Sequence, residues 1–300
     1  MTYTEVVHRS ENVYYYRTRS VRSGPTVKKE RRYMGRNIGK ATQSRKSKEA
    51  DKELGELSSL LSVSEVKLLE GMKKGLASQP KTTRDNRYEA FMSRFTNDST
   101  VIEGNTLTLQ ETASLLFEDR LPSGKTMRDV NEVLGHRRAF DHLLAYKGDI
   151  CRDLILDLHR MVIAGSLAKG LEDQAGVYRT VQVYIRGVEW SPPPPEEIAM
   201  EMRTLLSWYT KNREILHPLI VASYFHTGFE LVHPFVDGNG RVGRLLLNFI
   251  MHKNGYPMIN IHNARKSEYY EALQSAQVKG DLRPFVTLMM DVLKRSEILL

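Results

Sequence analysis

The chain has 300 residues, 41% of them hydrophobic and 27% charged, with a formal net charge of +8 and one cysteine. This composition excludes a disordered chain, and no apolar run approaches the ~20 residues of a membrane helix. Cys151 alone cannot form an intrachain disulfide, and the first ten residues hold no signal-peptide core, so a cytoplasmic protein without membrane contact is expected.

The charge is concentrated. Residues 1–50 hold 13 Lys and Arg against 4 Asp and Glu, and the other 250 hold 31 against 32. Such a basic arm suits nucleic acid or an acidic protein partner, while a solvated hairpin or a disordered tail has the same composition. Within it, Val13-Tyr14-Tyr15-Tyr16, Ser23-Gly24-Pro25 and then Val27 and Tyr33-Met34-Gly35 predict a β-hairpin over residues 10–38. Residues 40–52 read as a linker or a helix start. Two short amphipathic helices follow, through Leu54–Leu61 and Val66–Leu76, with a capping box at Ser62 to Glu65 between them.

From Asn86 onward the period is helical. Thr108 to Glu111 is a second capping box opening a helix to Phe117, and further helices are expected over 130–144, 152–164, 196–212, 215–232, 239–254, 267–277 and 284–295. Residues 179–190 alternate apolar and polar with Gly187 near the turn, which predicts an inserted β-hairpin. The expected division is a basic arm (1–50), a helical linker region (51–85) and a mainly α body (86–300).

The most informative stretch is His233-Pro-Phe-Val-Asp-Gly-Asn-Gly-Arg-Val-Gly-Arg244, followed by the apolar run Leu245 to Met251. A glycine-rich loop here opens onto the N-terminus of a buried helix, where free N–H groups and the helix dipole favour an anion. Arg241 and Arg244 lie on one side of that helix's first turns, Asp237 is a hard oxygen ligand of the kind Mg²⁺ takes beside phosphates, and His233 can accept a proton near neutral pH.

His-Pro-Phe-x-Asp-Gly-Asn-Gly-Arg-x-x-Arg resembles the signature of the Fic (Fic/Doc) family, and the resemblance runs over about residues 90 to 295. It implies a Fic-type helical bundle with a β-hairpin flap, and transfer of AMP from ATP and Mg²⁺ to a Ser, Thr or Tyr hydroxyl of a protein, self-modification included. Gly240 stands where the phosphotransferase branch of the family has Lys, which favours nucleotidyl transfer. The resemblance makes His233 the general base and Asp237 the metal ligand. It makes Gly238, Asn239, Gly240, Arg241, Val242, Gly243 and Arg244 the nucleotide-binding stretch. In it, Asn239 and the glycine amides line an anion hole, Arg241 holds the β-phosphate and Arg244 the γ-phosphate.

Phe235 reads as a core anchor for the loop, and His226 as either a support for His233 or plain core. Ser99-Thr-Val-Ile-Glu103-Gly104 resembles the family's inhibitory motif, in which Glu103 would pair with Arg244. Segment 179–190 sits where the family's flap takes target backbone as an added strand, or else only covers a core edge. Tyr270 is placed to face the nucleotide, or packs in the core like its neighbour Tyr269. Removal of AMP from a modified protein, with Glu103 positioning water, uses the same residues; a nucleic-acid-associated regulator built on the arm is the alternative from another class. A homo-oligomer is left open.

Overall fold

A computed structural model gives the structure of the chain except residues 1, 10, 24, 25, 169, 186, 187, 189 and 296–300. At residues 2, 9, 19–23, 26–30, 48–56 and 84 it describes the backbone alone. The fold is mainly α, as the periodicity and the resemblance imply.

The N-terminal arm is a three-stranded antiparallel sheet of β1 (Thr2–Arg9), β2 (Asn12–Ser23) and β3 (Thr26–Arg36), in that order. β2 and β3 are the expected hairpin; its turn residues Gly24 and Pro25 lie outside the described residues. The first strand is an addition. It pairs from Thr2 opposite Arg19 to Arg9 opposite Asn12, and Glu5 fixes it by accepting from Thr18 Oγ1 (3.0 Å) and Arg31 NH2 (2.6 Å). Arg31 is therefore partly spent inside the sheet, and the arm is ordered secondary structure. Helix α1 (Lys40–Ser58) packs on the sheet, where Thr18 and Met34 are buried and Ser47 Oγ donates to Met34 Sδ. Residues 40–52, read as linker or helix start, are helix throughout.

The capping boxes act as written. Ser62 with Glu65 starts α2 (Val63–Ala77), and Thr108 with Glu111 starts α4 (Leu109–Phe117). A third, Thr126 with Asp129, starts α5 (Met127–Ala145). Each satisfies two of the N–H groups a helix leaves open at its start. Between α2 and α4 runs α3 (Lys81–Val101), which begins five residues before the expected Asn86 because Pro80 suits the position just ahead of a helix.

The core is built on α8 (Pro218–Val232) and α9 (Asn239–Lys253), hairpinned around the signature loop. Both are apolar on nearly every face: Leu219, Val221, Phe225 and Phe229 on one, Val242, Leu245, Leu246 and Met251 on the other, all fully buried. Burial of each such side chain contributes about 1.5–3 kcal/mol, so the loop between the two helices is held by the best-packed part of the molecule. Around this pair lie α5, α6 (Arg152–Ile163), α7 (Ile198–Asn212), α10 (Lys266–Lys279) and α11 (Arg283–Arg295).

The hairpin expected at 179–190 is not there: none of its described residues is strand. Arg179 supplies the reason. Its buried guanidinium donates to the carbonyls of His233 (2.8 Å), Val181 (3.0 Å) and Pro193 (2.6 Å), and Gln182 donates to the carbonyls of Val183 and Pro192. Side chains here take the acceptors that a strand ladder needs, and the Arg179 N–H donates to Pro234 O (2.9 Å), which ties the start of the segment to the signature loop. Arg186, Gly187 and Glu189 lie outside the described residues.

Candidate active site

His233 ends α8 in a left-handed conformation, φ 49° and ψ 60°. For a residue with a Cβ this costs on the order of 1–2 kcal/mol, and it persists because both sides of the residue are tied. Its N–H donates to Phe229 O (2.9 Å) and its carbonyl accepts from Arg179 Nε. The ring is largely buried, which pushes its pKa down to about 4, so the imidazole is neutral at neutral pH. Nδ1 lies 3.3 Å from Glu230 O, where an Nδ1–H donates and leaves Nε2 with a free lone pair.

The loop then turns inward. Phe235 is fully buried and stacks on His159, centroids 3.6 Å apart, as the anchor it was expected to be. His159 accepts from Gly176 N at Nδ1 and so donates from Nε2 to Asp237 O at 3.0 Å. Asn239 was expected to line an anion hole with its side chain. The structure uses that side chain otherwise: Oδ1 accepts from Phe235 N and Nδ2 donates to Phe235 O, which closes the loop. The anion site at the head of α9 is instead backbone. The first helical bond of α9 runs from Val242 N to Gly238 O, so the N–H groups of Asn239, Gly240 and Arg241 have no helical acceptor.

The two arginines are both buried, with different partners. Arg244 donates from Nε to Ser99 Oγ (3.1 Å), and from NH2 to Ser99 O (2.7 Å) and to Glu103 Oε1 (2.7 Å). Its burial alone would lower its pKa, but the Glu103 carboxylate, with Tyr269 and Glu230 beside it, outweighs that and holds the guanidinium more firmly charged. Glu103 lies directly over Gly240, since a Cβ on Gly240 would come within 2.1 Å of its Oε1. The carboxylate therefore lies beside the head of α9.

Arg241, expected to face phosphate, is 1% exposed and pairs with Asp237 Oδ1 (2.9 Å) and Glu132 Oε1 (3.6 Å). Its Nε and NH1 are buried without a hydrogen-bond partner, a donor surplus that an anion would satisfy. Arg128 completes the cluster, 3.6 Å from Asp237 Oδ2 and 3.2 Å from Glu132 Oε1. Glu132 Oε2 also accepts from Asn105 Nδ2 (2.9 Å), which ties this end to the segment that carries Glu103.

Tyr270 is 42% exposed while Tyr269 is buried, its hydroxyl 2.8 Å from His226 Nε2 and its ring 5.9 Å from the Arg244 guanidinium. Of the tyrosine pair, Tyr270 thus faces outward and Tyr269 packs in the core. His226 is core as well, fully buried, with its pKa pushed down to about 3 by burial. Val242 packs in the core and Gly243 lets α8 and α9 approach. Sequence reading missed Arg128, Glu132, His159, Arg179 and Glu230. For those on helices the signal was a polar residue breaking an apolar helical period, which has many other causes; Arg179, in the segment read as a hairpin, gave none.

Residues 149–251 match the family described as "Fic/DOC family". The protein adenylyltransferase Fic of Nematostella vectensis is 36% identical over 203 residues, 66% of this chain and 46% of the relative. That of Drosophila melanogaster is 37% identical over 201 residues, 65% of this chain and 39% of the relative. The chain spans less than half the length of these curated relatives. The crystal structure of a Fic domain containing signaling protein from Bacteroides thetaiotaomicron aligns with a TM-score of 0.71 at 28% identity, over 78% of this chain and 95% of that one. A fragment of Fic-1 from C. elegans aligns at 0.69 and 28%, over 87% of this chain and 76% of the fragment. The signature loop between α8 and α9, the helical core around it and these likenesses agree: the chain carries a domain of the Fic/DOC family, matched over residues 149–251.

Proposed function

We propose that the chain is a protein adenylyltransferase, moving AMP from ATP to a hydroxyl group of a protein, and that Glu103 holds it at low activity. The observation that carries this reading is the buried Arg244, paired across 141 residues with Glu103 at the head of α9. A carboxylate lying on a cationic, amide-rich helix start occupies the place of an anion. The relatives named protein adenylyltransferase Fic supply the substrate class, and their names favour transfer over AMP removal or a nucleic-acid regulator.

In this reading the phosphates of ATP lie over the amides of Asn239, Gly240 and Arg241 in the loop that begins with Gly238, with the Arg241 and Arg244 side chains as clamps. The target oxygen attacks the α-phosphorus while its proton passes to Nε2 of His233. An ester bond to that oxygen forms, the bond to the bridging oxygen breaks and pyrophosphate leaves. Fixed donors where charge gathers are worth several kcal/mol to such a step.

Asp237 suits Mg²⁺: its side chain is 38% exposed, and Mg²⁺ beside phosphates commonly takes one or two carboxylates. When bound, the ion would neutralise charge on the phosphates. Tyr270 would lie against the base, and the segment 179–185 would take the backbone of the target. The division into arm, linker region and catalytic body, a cytoplasmic location and any self-association belong to the same proposal.

The test is label transfer. With Mg²⁺, α-labelled ATP is expected to mark protein and γ-labelled ATP is not, and His233→Ala should cut the signal about 10²–10⁴-fold. Label from the γ-phosphate alone would make the chain a phosphotransferase and end this reading.

A further inference from the structure

We infer that Glu230 is a positioning residue for His233: its carboxyl group, one turn back on α8, sets the proton affinity of the imidazole from the Nδ1 side. The inference rests on the adenylyl-transfer reading, in which Nε2 takes the proton of the target hydroxyl.

Three observations carry it. Glu230 is 8% exposed, in a stretch of α8 that otherwise reads as apolar core. Its Oε2 stands 3.9 Å from His233 Nδ1, alongside its own carbonyl at 3.3 Å, so both oxygens of one residue back the same ring nitrogen. Its Oε1 is buried with no hydrogen-bond partner, and room for it exists only because residue 243 is glycine: a Cβ there would come within 2.5 Å of it. A buried and unpaired carboxyl group is costly to keep, and nothing in the packing of α8 on α9 needs one.

Its surroundings set the charge. Burial pushes the Glu230 pKa up to about 8; Arg244 from α9 works against this and Glu103, just beyond the end of α3, adds to it. Tyr269 and Tyr270 of α10 face the same space, and Tyr270 is pushed up to about 12 by burial. On α8 itself His226 is held down to about 3 and His233 to about 4, the latter also facing Arg179 and Asp237. A change in rate near pH 8 is thereby left to Glu230. Below that pH the carboxyl is neutral and gives His233 little help. Above it the carboxylate favours the imidazolium that forms as Nε2 accepts the proton. Activity should climb with pH through a group that is not the base itself.

The experiment uses the Glu103→Gly protein, so that turnover is measurable, and follows kcat/KM for transfer of α-label against pH. A rising limb is expected somewhat below 8, because the raising effect of Glu103 is gone. Adding Glu230→Gln should remove the limb and, at pH values above it, lower kcat about 10- to 100-fold, a part of what general-base catalysis supplies, with KM for ATP unchanged. A Glu230→Gln profile that keeps the limb, or a loss that falls on KM alone, overturns the inference. No transfer even with Glu230 intact would instead sink the adenylyl-transfer reading. Independently of any variant, the native protein should show the infrared carbonyl band of a protonated carboxylic acid at neutral pH and lose it at alkaline pH. Its absence at neutral pH also overturns the inference.

Discussion

The head of α9 has two ends, each with a buried arginine and a carboxylate, and they are built differently. At one end Arg244 is held by Ser99 and Glu103, residues more than 140 positions away on α3 and just beyond its end. At the other, Arg241 is held by Asp237, four residues earlier in the same loop, and by Glu132. The first contact joins two separate pieces of chain and can open without unmaking the loop. The second is part of the loop. On the proposed reading, two ion pairs of similar length thus have opposite meanings: one carboxylate would block the anion site, and the other would belong to it.

The sharpest way to break this comparison is to remove the carboxylate that belongs to the site. Asp237→Ala in the Glu103→Gly background should lower AMP transfer by about 10²–10³-fold, since the proposed metal ligand and the partner of Arg241 go together. Unchanged transfer in an Mg²⁺ titration would show that Asp237 holds no metal and that the two ends are alike. A smaller effect is expected from Ser99→Ala, which strips one acceptor from Arg244 Nε and leaves Glu103 in place. A charged hydrogen bond of this kind is worth about 1.5 kcal/mol, so basal transfer should rise about 10-fold or less. No rise, with normal folding by circular dichroism, would mean that Ser99 does not help to hold the block.

The least effect on activity, though not on stability, is expected from mild acid. His136 and His226 are pushed down to about 3, and His159 and His233 to about 4, each chiefly by burial. A histidine with a depressed folded-state pKa contributes its full stability above the unfolded value near 6.5 and loses it as pH falls toward the folded value. Between about pH 6.5 and 4 each costs up to about 1.4 kcal/mol per pH unit. Thermal melts should drop steeply across that window, and a flat Tm would show these rings to be solvated. Glu230 has the opposite sign: with a raised pKa its contribution is present below the ordinary carboxylate range and is lost as pH rises toward about 8.

Much of this was legible in the sequence because it is local. The capping boxes, the helix after the glycine-rich loop and the anchoring of Phe235 each depend on residues within a few positions of one another. The Glu103–Arg244 pair was legible only through the resemblance, since no spacing rule spans 141 residues. The irregular path of 179–185 was not legible: alternation of apolar and polar residues is the mark of a strand, but Arg179 and Gln182 consume the carbonyls that a partner strand would need. β1 was missed for the converse reason, because Val6-Val7 interrupts its alternation and pairing to β2 completes it. Asn239 shows the limit within the signature itself. Its position in the motif is readable, while its inward turn onto the Phe235 backbone depends on a loop conformation that only the packed core imposes.

The central claim, that a carboxylate from α3's end closes an otherwise competent anion site, is tested most directly by comparing α-label transfer in the native protein and the Glu103→Gly variant at equal ATP and Mg²⁺. Freeing Arg244 from one charged hydrogen bond of about 1.5–3 kcal/mol predicts a rise of about 10- to 150-fold, abolished by His233→Ala. Equal rates in the two proteins, or a rise that survives His233→Ala, would contradict it.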